Sequence, residues 1–276
     1  MALTVERLDR VVIVVGDLDR LSRFYAALGF RPDDARPAPE QAALAEAPTA
    51  VSRVMWVGEQ AVELVAFDPP GADYPLPARS TDPWFQHIAL VAPDIDAAMA
   101  RLRAAEGWTA ISRGGVSHLP RDAGRVTAFK FRDPEGHPLE FLAFPTGQAP
   151  PRWSTAGPGL LGYDHSAISV SDIARSIAFY RDELGMTLGP RTLNQGAAQA
   201  ALDDVADAMV DVVAMRPVTA TPHVELLGYR HAPPHFPLAA GARNGVATRL
   251  VVAANDIASP RLMRDPDGHW LQLIPR

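Results

Sequence analysis

A strand opening that occurs four times constrains the fold of this 276-residue chain more than any other feature. Each copy is an apolar, β-branched run with one basic residue, and an aspartate follows that residue seven positions later. The basic residue is histidine in two copies and arginine in the other two. The pairs are His87 with Asp94, His165 with Asp172, Arg10 with Asp17, and Arg249 with Asp256. A repeated opening indicates a repeated structural unit, so four units are predicted.

The first unit shows what each copy is expected to contain. Its apolar run, residues 8–15, predicts a buried strand, and Asp17 stands where a helix N-cap belongs. Apolar residues at helical spacing then lead to Gly29, which predicts the end of a helix. Residues 51–57 and 61–67 predict two strands around a Gly58-Glu59-Gln60 turn. The unit is therefore of βαβββ type.

The other three units follow the same order, and the fourth is shortened. Helices are predicted at 95–105 and 173–184, and strands at 125–131, 138–143, 210–215 and 223–229. In the fourth unit, strands at 246–253, 261–263 and 270–274 leave no room for a helix. Pro-rich and Gly-rich stretches at 69–83 and 144–162 predict connectors. Two halves are expected: 1–146, with modules 1–68 and 84–146, and 160–276, with modules 160–231 and 245–276.

Charge and cysteine content limit the classes of function. The net charge of -6 argues against nucleic acid or an anionic membrane as a partner. The chain has no cysteine, which excludes disulfides, thiolate metal sites and a cysteine nucleophile. The N-terminal residues have no apolar targeting region, so a cytoplasmic protein is expected, as a monomer or homodimer.

Two further motifs carry a family resemblance. Phe-Tyr pairs followed by Leu-Gly occur in the first and third predicted helices, at 24–29 and 179–185, and matching turns occur at Asp133-Pro-Glu-Gly and Asp265-Pro-Asp-Gly. His137 and His269, which follow these turns, are interpreted as turn residues. With the four units, these motifs resemble the vicinal oxygen chelate superfamily, which includes glyoxalase I, extradiol dioxygenases, methylmalonyl-CoA epimerase and the fosfomycin and bleomycin resistance proteins. The resemblance implies an α+β fold of four βαβββ-type modules, the fourth truncated, which form two cup-shaped, barrel-like mixed sheets.

The resemblance also implies where metal ligands stand, on the opening and closing strands of paired units. If consecutive units pair, each cup receives an arginine, which cannot lose its proton to bind a divalent cation. If units two and three pair, one cup collects the four ligands His87, Glu140, His165 and Glu225. The other cup then holds Arg10, Glu63, Arg249 and Gln272, in which an Arg–Glu pair substitutes for a metal. The second pairing is favoured because it gives one complete site.

Two imidazoles and two carboxylates suit one divalent metal ion: Fe, Ni, Zn, Co or Mn. By resemblance to glyoxalase I, the function expected is a lyase or isomerase type of proton transfer on a small substrate with vicinal oxygens. Glu140 is the favoured base and Glu225 the second choice. An Fe(II)-dependent extradiol dioxygenase is the alternative, because His87, His165 and Glu140 alone form its triad. Its acid–base histidine is His118 or His223. A ligand-binding protein of the bleomycin-resistance type is the third interpretation.

Residues that bind substrate are predicted with less support from the pattern. Asn194 and Gln195 lie in a polar, Gly-ended stretch at 191–196, which reads as a substrate-binding loop or an ordinary turn. His118, Lys130 and Tyr229 are further candidates. Lys130 is the only lysine in the chain, and the scarcity of lysine is interpreted as codon bias.

Overall fold

The computed structural model describes residues 3–231 and 240–276, which form two mixed β-sheets with short helices beside them. One sheet, which we call the inner sheet, takes its strands from units two and three. In spatial order they are β12 (Thr187–Gln195), β13 (Met209–Arg216), β14 (His223–Tyr229), β11 (Gly162–Ser169), β6 (Gln86–Val91), β10 (Pro138–Ala143), β9 (Thr127–Arg132) and β7 (Thr109–Ala110), and β8 (Ser117–His118) also pairs with β9.

The other sheet, which we call the outer sheet, takes its strands from units one and four. In spatial order they are β16 (Arg261–Arg264), β17 (Trp270–Pro275), β15 (Arg249–Ala254), β1 (Val5–Val14), β5 (Gln60–Asp68), β4 (Thr49–Val57) and β2 (Arg31–Pro32), and β3 (Arg36–Pro37) also pairs with β4. Units two and three therefore share one sheet, as the complete ligand set required. Each sheet takes one unit from each predicted half of the sequence. The α+β fold of four units is confirmed, and both sheets are curved cups with free edges, not closed barrels.

The repeated aspartates are helix N-caps in the first three units. Within the described residues, the α-helices are α1 (Leu18–Leu28), α2 (Pro39–Leu44), α3 (Ile95–Ala104), α4 (Ile173–Ala178), which continues as a π-helix over Phe179–Glu183, and α5 (Ala197–Asp203). The Asp17 carboxylate accepts a hydrogen bond from the Arg20 backbone N–H, which offsets one of the unpaired donors of the first turn of α1. In the fourth unit, Asp256 precedes no helix within residues 245–276 and takes a left-handed backbone conformation.

The matching Asp-Pro turns connect the two sheets. In the inner-sheet turn, Asp133 accepts hydrogen bonds from the His137 backbone N–H and from the Tyr25 hydroxyl of α1. The His137 ring reaches the Val14 carbonyl of the outer sheet, at 3.0 Å from Nε2. The outer-sheet turn repeats this arrangement with Asp265, Tyr180, His269 and the Ser169 carbonyl. The interpretation of both histidines as turn residues is confirmed, and each also fixes one sheet against the other.

Several elements are absent from the sequence prediction: the two-residue strands β2, β3, β7 and β8, the helices α2 and α5, and the edge strand β12. Helices α2 and α5 are short, and their alanine-rich sequences carry little apolar periodicity. The stretch at 191–196 is neither a loop nor a turn, because residues 191–195 belong to the edge strand β12, paired with β13. That edge strand is largely polar and half-exposed, so it lacks the apolar alternation from which strands are predicted.

Candidate metal centre

The strand register of the inner sheet brings the predicted ligands to one face. Glu140 on β10 is aligned with Ala89 on β6, and Ala89 is aligned with His165 on β11. His87 lies two residues before Ala89 and therefore on the same face, opposite Ala167. Glu225 on β14 stands on the other side of Ala167. Because alanine side chains are short, the larger side chains around Ala89 and Ala167 face one cavity on the concave side of this sheet.

A β-bulge adds a further carboxylate to this face. The pairing of β6 with β11 shifts between Tyr163 and His165, so the consecutive residues Asp164 and His165 both line the cup. The Trp153 indole N–H donates to Asp164 Oδ1 at 2.7 Å, which leaves Oδ2 facing His165 Nδ1 at 3.2 Å. A carboxylate on Nδ1 keeps the proton there and leaves Nε2 as a lone-pair donor. Asp164 therefore holds the His165 ring in the orientation that a metal ligand would need.

Each histidine Nε2 has a carboxylate oxygen beside it. His87 Nε2 lies 2.8 Å from Glu140 Oε2, and His165 Nε2 lies 3.4 Å from Glu225 Oε2. Two ligand atoms on one metal lie about 3.0 to 3.4 Å apart when the bonds are about 2.1 Å long. One ligand atom from each of His87, Glu140 and His165 lies within 4.8 Å of the other two. Small side-chain adjustments therefore suffice to place these ligand atoms around one ion.

The state of His87 independently supports a metal ligand. His87 is 1% exposed, yet neither of its ring nitrogens has a hydrogen-bond partner within residues 3–231 and 240–276. The short contact to Glu140 is not directed along an N–H bond. Buried polar atoms are almost always paired, because leaving one unpaired costs about 1 to 3 kcal/mol. Coordination of a cation would satisfy Nε2, so the donor set fits a divalent metal.

The charges of the site depend on these contacts. Burial alone would lower the pKa of His165, but Glu225 and Asp164 raise it to about 9. Burial alone would raise the pKa of Glu225, but His165 and His223 lower it to about 2. Burial and the Lys130 ammonium lower the pKa of His87. Without a metal, His165 is therefore an imidazolium and His87 is neutral at pH 7.

Two of the five predicted substrate-binding residues line the cavity beside the predicted ligands, and the other three do not. Lys130 and Asn194 line a cavity of about 350 Å³ over the four ligands. Gln195 is exposed and His118 lies on β8, with its Nδ1 3.1 Å from the Thr127 hydroxyl, and neither lines that cavity. Tyr229 is half-buried on β14 and lines a different cavity.

Other residues of the cavity were either not assigned from the sequence or, like His223, named only as one of two acid–base histidines in the alternative function. His223 lies on β14 two residues before Glu225 and beside His165, with Nε2 3.5 Å from Glu225 Oε1. Alternation along a strand puts positions 223 and 225 on one face, and this signal was available once Glu225 had been placed. Gln199 of α5 and Arg216 of β13 also line the cavity. Their elements could not be placed against the cup from sequence pattern alone.

The outer-sheet cup is filled by protein. Gln41 of α2 lies at its centre and bonds to Arg249, Glu63 and Gln272, three of the four residues predicted there. The fourth, Arg10, donates to Glu63 through Nε at 2.8 Å. The guanidinium and the carboxylate thus occupy, in the outer sheet, the strand positions that the predicted metal ligands occupy in the inner sheet.

Comparison with known proteins agrees with the fold. The sequence model of the Glyoxalase/Bleomycin resistance protein/Dioxygenase superfamily matches residues 7–141 and 162–252, and the chain belongs to this superfamily. Among solved structures, glyoxalase I from Zea mays is 16% identical, with a TM-score of 0.62 over 98% of this chain and 92% of that one. A candidate dioxygenase from Bacillus subtilis is 13% identical, with a TM-score of 0.60 over 99% and 86% of the two chains.

These structural similarities concern the fold alone, since both identities are low. The search of curated proteins finds no match. Among the described residues, no helix has the length and apolar character needed to cross a membrane.

Proposed function

We propose that this protein is an enzyme that depends on one divalent metal ion and acts on a small substrate with vicinal oxygens by proton transfer, as a lyase or isomerase. The ligands would be His87, Glu140, His165 and Glu225. The observation that carries the proposal is the symmetry of the donor set: each buried imidazole Nε2 has its own carboxylate, and both pairs face one cavity. Fe, Ni, Zn, Co and Mn all accept such donors.

The cation, when bound, supplies Lewis acidity that makes a C–H beside a carbonyl easier to deprotonate. The protein must then supply a base, and its two carboxylates differ in how firmly they are held. Glu140 lies 2.8 Å from His87, and its side chain is 7% exposed. Glu225 is 21% exposed, and its nearest histidine nitrogens are 3.4 and 3.5 Å away. The geometry therefore favours Glu225 as the base that takes the proton, the reverse of the order that resemblance to glyoxalase I favours.

Deuterium exchange tests this function without knowledge of the natural substrate. Dihydroxyacetone offers vicinal oxygens and acidic C–H bonds, and proton NMR in D₂O follows the loss of those hydrogens. Metal-loaded wild type should accelerate the exchange, and Glu225→Gln should reduce it by at least about a hundredfold, within the range of general-base catalysis. His118→Ala is the control and should keep wild-type exchange. Metal-loaded protein that accelerates no exchange would contradict proton transfer.

Ring cleavage is the second candidate, and one observation favours it. Among the described residues, two groups of three donors lie within 4.8 Å of one another, and one of them is Asp164, His165 and His223. The other is His87, Glu140 and His165, which is the two-histidine, one-carboxylate set of non-haem Fe(II) oxygenases. His223 beside this set is the better placed of the two acid–base histidines, since His118 lies outside the cavity. Oxygen uptake by the Fe(II)-loaded protein with a panel of catechols would support this candidate. Metal binding without turnover in either assay would leave a ligand-binding protein.

A further inference from the structure

The only lysine of the chain is buried in the wall of the candidate metal centre. Lys130 on β9 is aligned with Glu140 on β10, so both side chains lie on the face that carries the ligands. The residue is 3% exposed, and its side chain lines the 350 Å³ cavity. A buried ammonium is costly, because an ion pair with a single partner often fails to offset its desolvation. An apolar residue would fill the same volume at lower cost.

The contacts of Lys130 leave part of its hydrogen-bonding capacity unused. Nζ donates to Asp203 Oδ1 of α5 at 2.7 Å, and Gln199 holds the other oxygen of Asp203 at 2.7 Å. The next carboxylate, Glu140, is 4.0 Å from Nζ, beyond hydrogen-bond distance. An ammonium has three N–H donors, and Asp203 is the one side-chain acceptor bonded to it among the described residues. The Phe85 ring also lies near Nζ, with its centroid 6.0 Å away, so up to two of the three donors remain available for an oxygen in the cavity.

The Lys130 charge is fixed and close to the position of the metal. The Lys130 ammonium lies 2.7 Å from the Asp203 carboxylate, and this ion pair favours the charged form of the lysine. Since Nζ is 4.0 Å from the Glu140 oxygen and a metal bond is about 2.1 Å long, Nζ would lie at most about 6 Å from the ion. A group one or two carbon atoms beyond a chelating pair of oxygens spans this distance. Arg216 of β13 contributes a second cationic side chain to the same cavity.

From this geometry we propose that the substrate carries a carboxylate next to its chelating oxygens, and that Lys130 binds this carboxylate. The inference rests on the proposed function, because it takes the chelated metal as the point from which the carboxylate is positioned. Lys130 would then determine specificity: it selects anionic vicinal-oxygen compounds over neutral ones of the same size. Asp203 holds the ammonium in place and leaves its remaining donors facing the cavity.

Two chelators that differ by one carboxylate test the proposal. Acetohydroxamate and the monohydroxamate of malonic acid bind a metal through the same two oxygens, and only the second adds a carboxylate. Their affinities for the zinc-loaded full chain are measured by titration calorimetry. Wild type is expected to bind the malonic compound at least about tenfold more tightly, as a charge-assisted hydrogen bond would give.

The variants separate the Lys130 charge from its structural role. K130M alone leaves the buried Asp203 carboxylate without its cationic partner and risks unfolding, so the test variant is K130M/D203N and its matched control is D203N. In the control the ammonium remains, and the amide oxygen introduced by D203N can still accept its hydrogen bond, so a weakened but clear preference for the malonic compound should remain. The double variant should bind the two hydroxamates within about twofold. With lysine labelled by ¹⁵N and ¹³C, the one side-chain signal of the chain should shift with the malonic compound and not with acetohydroxamate.

Two results would overturn the inference. Equal binding of the two hydroxamates by wild type, or a preference that survives in K130M/D203N, would mean that Lys130 is only a structural link between β9 and α5. If zinc-loaded wild type binds both hydroxamates with equal affinity, the proposed substrate carboxylate is contradicted, but the proposed metal site is still supported. A chain that takes up no zinc and binds neither chelator would contradict the proposed function as well.

Discussion

Loading the metal-free protein with zinc at pH 7 should release about one proton per chain. The proton comes from His165, whose pKa of about 9 makes it about 99% protonated at pH 7. The other donors contribute little, because the pKa of His87 is lowered and the pKa of Glu225 is about 2. An imidazolium has no lone pair, so zinc must displace its proton. The apparent zinc affinity should therefore rise about tenfold per pH unit up to about pH 9.

Titration calorimetry in several buffers measures the released proton. The slope of observed enthalpy against buffer ionisation enthalpy gives the number of protons, expected to be about one at pH 7 and about 0.1 at pH 10. His165→Gln is the matched variant and should release none. No release by wild type at pH 7, or equal release by the variant, would refute the assignment of His165 as the cationic partner of Glu225.

Three further predictions concern the metal-free fold and the second cup. The pKa of His165 is raised from 6.5 to about 9, so its contribution to stability is complete below pH 6.5 and is lost as pH rises through 9. The loss in the free energy of unfolding should be on the order of 3 kcal/mol. Chemical denaturation should show it for metal-free wild type and not for His165→Gln. Asp164→Asn should weaken zinc binding about 10- to 100-fold in competition with a chromophoric chelator, since the His165 ring loses its orienting carboxylate; unchanged affinity would contradict that role. Gln41→Ala should cost about 1 to 3 kcal/mol of unfolding free energy, because Arg249 loses a buried acceptor, with no change in metal content.

The pattern of the sequence predicted the parts of the fold that repeat. The basic residue of each opening strand and its aspartate recur seven positions apart in all four units, and the Asp-Pro turn recurs in two of them. Such short-range patterns are local properties that the sequence records directly. The pairing of unit two with unit three was then inferred from charge, because pairing consecutive units would place an arginine in each cup, and an arginine would repel a metal cation. The observed sheets have this pairing, with His87 and His165 on adjacent strands.

The remaining features depend on contacts between distant residues. The partner of Lys130 is Asp203, 73 positions away, on a helix whose existence was not predicted. The inward position of Asp164 depends on a register shift between β6 and β11, which ordinary strand alternation does not indicate. Gln41 fills the second cup because α2 folds over it, again through tertiary packing. Such contacts follow from the assembled sheets and have no local signature in the sequence.

The metal content of the protein is the most direct test of the central claim. The full chain, purified without a histidine tag under anaerobic conditions, would be analysed by plasma mass spectrometry beside His165→Ala and the exposed-histidine control His118→Ala. We expect about one divalent metal ion per chain in wild type and in His118→Ala, and almost none in His165→Ala. A wild type that holds no metal and takes none up, or a His165→Ala variant that retains it fully, would contradict the assignment of this cup as a metal centre.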